Sequence, residues 1–338
     1  MRARAILAVS IRVKLHGRDR MRRCTLPAME FGVQIPQIVF PGMSPLTIAG
    51  VQRYASTARD AGFSAISAND HIVHRRPWID APTSLTLTLP HSGEMTLATT
   101  VGLPVVRGPA TFAKTYATLD RFSGGRVMTA VSVGSSRDDY DLVGVSWDER
   151  WKRLDESIGM MRALWGRDME PFKGRFYSSE GARIEPGPAR EGGPPIWIGS
   201  WGSERGLKRV ARLGDGWLAS AYNTTPKIFT QALGDLGTML SSEGRDASTF
   251  PNSLATMMFN VAEDEAAAEL LTEAAASSLG RSQEEIGERL MFGSPEQLAE
   301  KVAAYEQAGL QRMFLWPVDS DPVAQIARFA ERVIPLLR

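Results

Sequence analysis

The chain has 338 residues, 43% hydrophobic and 23% charged, with a formal net charge of +1 from 39 basic and 38 acidic side chains. That balance leaves no electrostatic footprint for nucleic acid or an anionic membrane surface, and no apolar run approaches the roughly 18 residues of a membrane span. The single cysteine, Cys24, excludes an internal disulfide and suits a reducing, cytoplasmic compartment.

Residues 1–28 are arginine-rich, with one acid, Asp19. They read as a basic arm for nucleic acid, as a disordered extension or as sequence upstream of the true start, and Met29, directly before the first strand-like run, favours the last. Residues 29–338 then form one domain. Residues 31–35 (FGVQI) are a strand stopped by Pro36. Ser44 and Pro45 read as the N-cap and first position of a helix. Ile48, Val51, Tyr54, Ala55 and Ala58 line one side of it, and Gly62 stops it. Residues 63–67 are a strand that breaks at Ala68-Asn69-Asp70-His71. Residues 83–89 fit a helix despite their threonines.

Residues 98–133 hold the clearest unit. A β-branched strand at 99–101 ends at Gly102, and the chain leaves the sheet over 103–108. Pro109 opens a helix with Phe112, Ala113, Tyr116, Ala117 and Leu119 at helical spacing. Ser123-Gly124-Gly125 stops it, and 127–133 resumes as strand. This is a βαβ unit, whose sheet is parallel and buried. Ser146 and Glu149 predict a capping box for a helix with Trp151, Leu154, Ile158, Met161 and Leu164, ended by Gly166. Residues 166–195 are a long irregular stretch carrying Phe172, Phe176 and Tyr177. These either close over a planar ligand or pack on the body, and with residues 219–223 the stretch is the expected substrate pocket. Beyond it come a strand at 196–198, a helix at 203–213, a strand at 217–218 and a helix at 226–240. A strand at 254–261 and a helix at 263–279 follow. Ser294 to Gln297 reads as a second capping box. A last strand at 313–316 precedes a helix from Asp321.

Eight strands alternating with helices, without linker or composition shift, predict a TIM-type (β/α)8 barrel. A doubly wound sheet is the alternative, but Pro36-Gln37 stands where its glycine-rich turn belongs. In a barrel the chemistry sits on the loops after strand C-termini. Those loops carry Gln37, Asp70-His71 and residues 102–107, 134–137, 199–203 and 219–223. His71 suits proton transfer near neutral pH, with a neighbouring carboxylate to orient it; it reads equally as a loop histidine with a satisfied hydrogen bond. A metal set of Asp70, His71 and His74 lacks the usual ligand spacings elsewhere. Gly199-Ser200-Trp201-Gly202-Ser203 leads from a strand into a helix N-terminus and offers N–H groups, hydroxyls and the helix dipole to a phosphate. A simple turn and cap fits it as well, and no P-loop lysine follows. No lysine falls on a predicted strand for a Schiff base, and no Gly-x-Ser-x-Gly turn supports nucleophilic hydrolysis.

Six stretches in order carry a more specific signal: GFSAISANDH (62–71), KTYATLDRFSGGR (114–126), VGVSWDER (143–150), PPIWIG (194–199), ARLGDGW (211–217) and GSPE (293–296). Read together they resemble the bacterial luciferase-like family of flavin- and deazaflavin-dependent oxidoreductases. The resemblance implies a TIM barrel with insertions and a planar ring lying at the strand C-termini. It implies that His71 is the active-site histidine, with Asp70 beside it. Thr100 and Val101 become the site of a bulge with a non-proline cis peptide that supports the ring. Val133, Gly134 and Ser135 pass the ring edge, and Gly199, Ser200, Gly202 and Ser203 belong to the phosphate site. Two departures argue against sugar-phosphate oxidation: Ser135 stands where such relatives have glutamate, and Arg75 where they have tryptophan. The run from Gly134 to Tyr140 resembles the branch using the deazaflavin coenzyme F420 more than the FMN branch. The expected activity is hydride transfer between reduced coenzyme F420 and a small organic substrate, with His71 as proton donor or ring-positioning group. An FMN monooxygenase is the alternative; a non-catalytic flavin-binding barrel and a metal-dependent hydrolase are readings of other classes. The family also implies a homodimer.

Overall fold

Eight parallel strands close on themselves, each running only four to seven residues before the chain turns outward. The computed structural model describes residues 29–38, 46–167 and 170–337, so the arginine-rich segment lies outside the described residues. The strands are β1 (Glu30–Gln34), β2 (Ala65–Ala68), β3 (Thr96–Gly102), β4 (Val127–Val131), β5 (Ile196–Gly199), β6 (Gly216–Ser220) and β7 (Asn252–Ala255). β8 (Phe259–Val261) and β9 (Met291–Gly293) form a separate parallel pair, and β10 (Arg312–Leu315) closes the barrel between β1 and β7. This is the predicted (β/α)8 barrel, with β8, β9 and their helices inserted between β7 and β10.

Alternation along the strands decides what fills the barrel. Ala65, Ala98, Met128, Ala130, Trp197, Leu218 and Phe314 form a small inner cluster. Residues of opposite parity, such as Val33, Ile66, Leu97, Val127 and Leu315, join the larger core beneath the helices. Gly32 has no side chain because a Cβ there would stand 2.7 Å from the Phe314 ring. The inner cluster is thus a packed floor, and the layer above it is where the site lies.

Several local expectations shift. Thr47 caps the first helix (Ile48–Asp60) by accepting from the Gly50 N–H at 3.1 Å; Ser44 and Pro45 lie outside the described residues. The expected strand 254–261 is two strands, because β7 spans the barrel wall in four residues and the chain then leaves for the β8–β9 pair. Ser146 makes no side-chain cap, whereas the Ser294–Gln297 capping box is fully formed. The 83–89 helix is present as Ala81–Thr88, capped by Asp80.

Candidate active site

The ends of β2 and β3 are bound to each other through two consecutive residues on each side. The Asn69 amide donates to the Thr100 carbonyl at 2.8 Å, and the Asp70 N–H donates to the Val101 carbonyl at 3.0 Å. The Thr100–Val101 peptide is cis, and the β3–β4 register shifts between Thr100 and Gly102. The bulge therefore lies where the resemblance places it. The Thr100 hydroxyl sits 3.2 Å from Gln34 Oε1 and 3.1 Å from Ser67 Oγ, a buried polar trio one layer above the floor.

Asp70 is buried and points away from His71. Arg107 grips both its oxygens (2.7 and 2.6 Å), and the Leu103 N–H donates to it at 3.3 Å. Arg107 also reaches Asp80, the cap of the next helix, at 2.5 Å. Burial works against the guanidinium charge, but the bonds to Asp70 and Asp80 outweigh it and push its pKa up. The fork ties three connections at the mouth into one unit.

The carboxylate that orients His71 is Asp139, not its neighbour Asp70. Nδ1 of His71 is 2.7 Å from Asp139 Oδ2, while Oδ1 accepts from the Ile72 and Val73 N–H groups at 2.8 and 2.9 Å. Burial alone would raise the Asp139 carboxyl; the His71 bond and the two backbone donors outweigh it and hold its pKa below the usual range. This folded value lies below the unfolded one. The stability Asp139 contributes is therefore present above the ordinary carboxylate range near ~4 and lost as pH falls through the folded value. Asp139→Asn removes that part of the acid slope in urea denaturation and lowers turnover by about tenfold or more, because an amide cannot support a protonated imidazole in the same way. An unchanged acid slope would show that folding does not shift the titration of Asp139.

Aromatic rings enclose the other side of His71. The Trp78 ring meets it edge-on at 4.6 Å, His74 lies 5.1 Å away, and Trp316 packs edge-on against Trp78 at 5.7 Å. Trp78 stands three residues beyond Arg75, the position where the resemblance expects a tryptophan. Gln37 stitches this wall together: its Oε1 accepts from the Asn69 N–H at 2.7 Å, and its Nε2 donates to the Ile79 carbonyl at 2.8 Å.

The β4 and β5 ends complete the rim. The Val133 carbonyl accepts from the Tyr140 hydroxyl at 2.7 Å, Gly134 takes a φ of 73°, and Ser135 is exposed. A Cβ on Gly199 would stand 2.6 Å from Val101 Cγ1, so glycine there lets the bulge pack against β5. Ser200 Oγ accepts from the Gly202 N–H and Ser203 Oγ from the Gly206 N–H, both at 3.3 Å. Each hydroxyl keeps its own hydrogen to donate, and Ser203 caps the helix Glu204–Leu213. An N-terminus of this kind suits an anion.

The irregular stretch before β5 does not belong to this rim. It connects a helix to a strand, so it must return to the N-terminal end of the barrel. Arg190 binds Asp120 and the Val127 carbonyl at the start of β4. Phe172 packs where a Cβ on Gly159 would stand 2.5 Å from it, and Phe176 lies beside Arg153 at 4.3 Å. The aromatic trio is packing on the helix Arg150–Trp165, and the stretch closes the barrel bottom. Among the described residues, no group of three or more His, Cys, Asp or Glu is arranged to hold a metal, and no helix is long and apolar enough to cross a membrane.

Sequence reasoning missed Asp139, Asn69, Gln34, Trp78 and Trp316. Position was the available signal for Gln34, Asn69 and Trp316, which sit at or next to strand C-termini, whereas Trp78 and Asp139 lie further along the loops after β2 and β4. Asn69 meets Thr100 across 31 residues and His71 meets Asp139 across 68, which is no local pattern.

A family model described as luciferase-like monooxygenase matches residues 29–312. An uncharacterized protein of Mycobacterium tuberculosis is 34% identical over 151 residues, covering 45% of this chain and 50% of that one. The F420-dependent glucose-6-phosphate dehydrogenase of Beutenbergia cavernae is 25% identical over 323 residues, covering 84% and 92%. The chain thus spans about half the length of the first of these relatives and nearly all of the second. The solved structure of an F420-dependent secondary alcohol dehydrogenase with an F420–acetone adduct superposes with a TM-score of 0.77 at 21% identity, covering 92% of this chain and 99% of that one.

Proposed function

Since the chain belongs to the luciferase-like monooxygenase family, we propose that it is an oxidoreductase moving hydride between the deazaflavin coenzyme F420 and a small organic substrate. One observation carries the reading: His71, oriented by Asp139, stands directly beside residues that bond the β3 bulge. The residues present fit a flat, phosphate-bearing cofactor. Val101 stays half-buried beside Gly199, Gly134 and Ser135 keep the β4 rim low, and Ser200 and Ser203 stand at a helix N-terminus that suits a phosphate.

When bound, the reduced deazaflavin supplies the hydride, and the protein supplies position and the proton. Thr100 and Val101 would support the ring. Val133, Gly134 and Ser135 would flank its edge. Ser200, Ser203 and the Glu204 N–H would hold the phosphate, with Gly202 shaping the turn through its N–H bond to Ser200 Oγ. With Nδ1 tied to Asp139, His71 keeps Nε2 to hold or release a proton at the substrate. Asp70 acts through Arg107, as the post that steadies the bulge, rather than by touching the ring. The preference for coenzyme F420 rests on the 134–140 run and on the F420-dependent relatives. We take the working form to be a cytoplasmic homodimer, on the family resemblance and the lone cysteine.

The test is titration of purified protein with oxidised coenzyme F420 and with FMN, followed by flavin fluorescence. Saturable binding of coenzyme F420, tighter than FMN, is expected. Tight FMN binding with no F420 binding would replace this reading with an FMN monooxygenase; binding of either without turnover of any reduced cofactor would leave a non-catalytic flavin barrel.

A further inference from the structure

Two buried N–H donors on adjacent strands of the barrel have no hydrogen-bond partner. Gln34 is 1% exposed and Trp316 is 4% exposed, and neither Gln34 Nε2 nor Trp316 Nε1 has a hydrogen-bond partner. They are neighbours by register: Gly32 pairs with Phe314 and Val33 with Leu315, so Gln34 stands beside Trp316 on the adjacent strand. Parity fixes their direction. Phe314 and the space above Gly32 belong to the floor of the barrel, and two residues further along the same face repeats. Both donors therefore belong to the layer directly above the floor. The Thr100 hydroxyl engages Gln34 Oε1, which commits the other end of that amide, Nε2, to the donor role. The Trp316 ring touches Trp78, and Trp78 touches His71.

Buried donors are rarely left unmet, because the desolvation they have suffered is then uncompensated. A paired amide and indole suit one uncharged acceptor oxygen, since neither donor carries a charge to balance an anion. We propose that Gln34 and Trp316 together bind the carbonyl oxygen of the organic substrate, which makes that substrate an uncharged ketone or aldehyde lying against Trp78. This deepens the preceding reading and rests on it for the source of hydride. In the reaction the hydride forms a bond to the carbonyl carbon and the C=O π pair moves onto oxygen. That oxygen takes the proton from His71 Nε2. The carbonyl is reduced to an alcohol as the deazaflavin is oxidised by two electrons. Donors aimed at the oxygen on which charge develops favour the transition state over the bound ketone.

The experiment follows the indole N–H resonances of 15N-labelled protein, which has eight tryptophans; the Trp316 signal is the one missing in Trp316→Phe. Cyclohexanone, acetone and benzaldehyde are added to protein saturated with oxidised coenzyme F420 and, in parallel, with FMN. Methylenecyclohexane, which has CH2 in place of oxygen, is the control. The Trp316 indole is expected to move downfield with the carbonyl probes and to ignore the control. Gln34→Met, read at the same indole, weakens the best probe about fivefold, and Trp316→Phe does the same by calorimetry. Neither variant changes the cofactor dissociation constant more than about twofold, the margin a lost substrate contact allows. Absence of a shift with all three carbonyl probes overturns the proposal. So does a shift produced by the cofactor alone, which would assign the donors to the ring. A carbonyl shift in FMN-loaded protein that fails to bind coenzyme F420 would sink the deazaflavin reading and leave the donor pair standing.

Discussion

His71→Ala lowers turnover by about 10²- to 10⁴-fold, the range for loss of a positioned proton donor, while the thermal midpoint moves by only a few degrees. The two effects separate because the wall around the imidazole survives its loss: Trp78 still packs on His74 and on Trp316. Its ring lies at the mouth, and its one hydrogen bond is to a carboxylate that keeps two backbone donors. Loss of that bond costs about 1 kcal/mol, which in a barrel of this size is about 2 °C or a little more. Cofactor binding stays within about threefold, since no contact to the bulge is removed; Thr100 and Val101 remain bonded through Asn69 and Asp70. Steady-state turnover and calorimetric unfolding on the same preparation check both halves. Unchanged turnover would take His71 out of the mechanism, and a collapse in the midpoint would make it structural.

Arg107→Met has the opposite signature, a large loss of stability. Asp70 is 1% exposed and its charge is met chiefly by the Arg107 fork, with one longer bond from the Leu103 N–H. Removing the guanidinium strands a buried carboxylate, and breaking a buried pair from one side costs about 3–5 kcal/mol. Asp80 is half exposed and still caps its helix through the Thr83 N–H, so it adds little. Asp70→Asn together with Arg107→Met recovers part of the loss, because no buried charge is then left alone. Urea unfolding of the single and double variants measures both steps. A single-variant loss below about 1 kcal/mol would place the pair among exposed bridges and remove Asp70 as the post beneath the bulge.

The barrel was legible because it is written locally. Strand-length apolar runs, proline at helix starts and glycine at helix ends recur along the chain, and each is a short-range consequence of backbone chemistry. Gly124, at the end of the helix Pro109–Ser123, takes the left-handed conformation its position demanded. The 254–261 run shows the limit. Both of its halves are strand, and nothing local says that Ala255 ends the barrel wall while Phe259 starts another pair. The 166–195 stretch shows another: its aromatics left a ligand cover and packing both open and its length suggested the substrate pocket, but chain direction in a barrel sends every helix-to-strand connection to the end opposite the mouth.

By itself the sequence determined the fold class, the strand ends that form the rim, and the identity of His71, Thr100, Val101 and the Gly199–Ser203 turn as candidates. Only the tertiary structure decided which side chains serve one another. Asp70 lies next to His71 in sequence, yet their side chains leave the strand end in different directions, so Asp70 pairs with Arg107 and His71 with Asp139. Gln34 and Trp316 are nearly the whole barrel apart in the chain and become neighbours only when β10 closes against β1. A hydrogen bond needs its partners within about 3 Å and aligned. That condition is set by strand register and barrel closure, and neither is encoded in the spacing of residues along the chain.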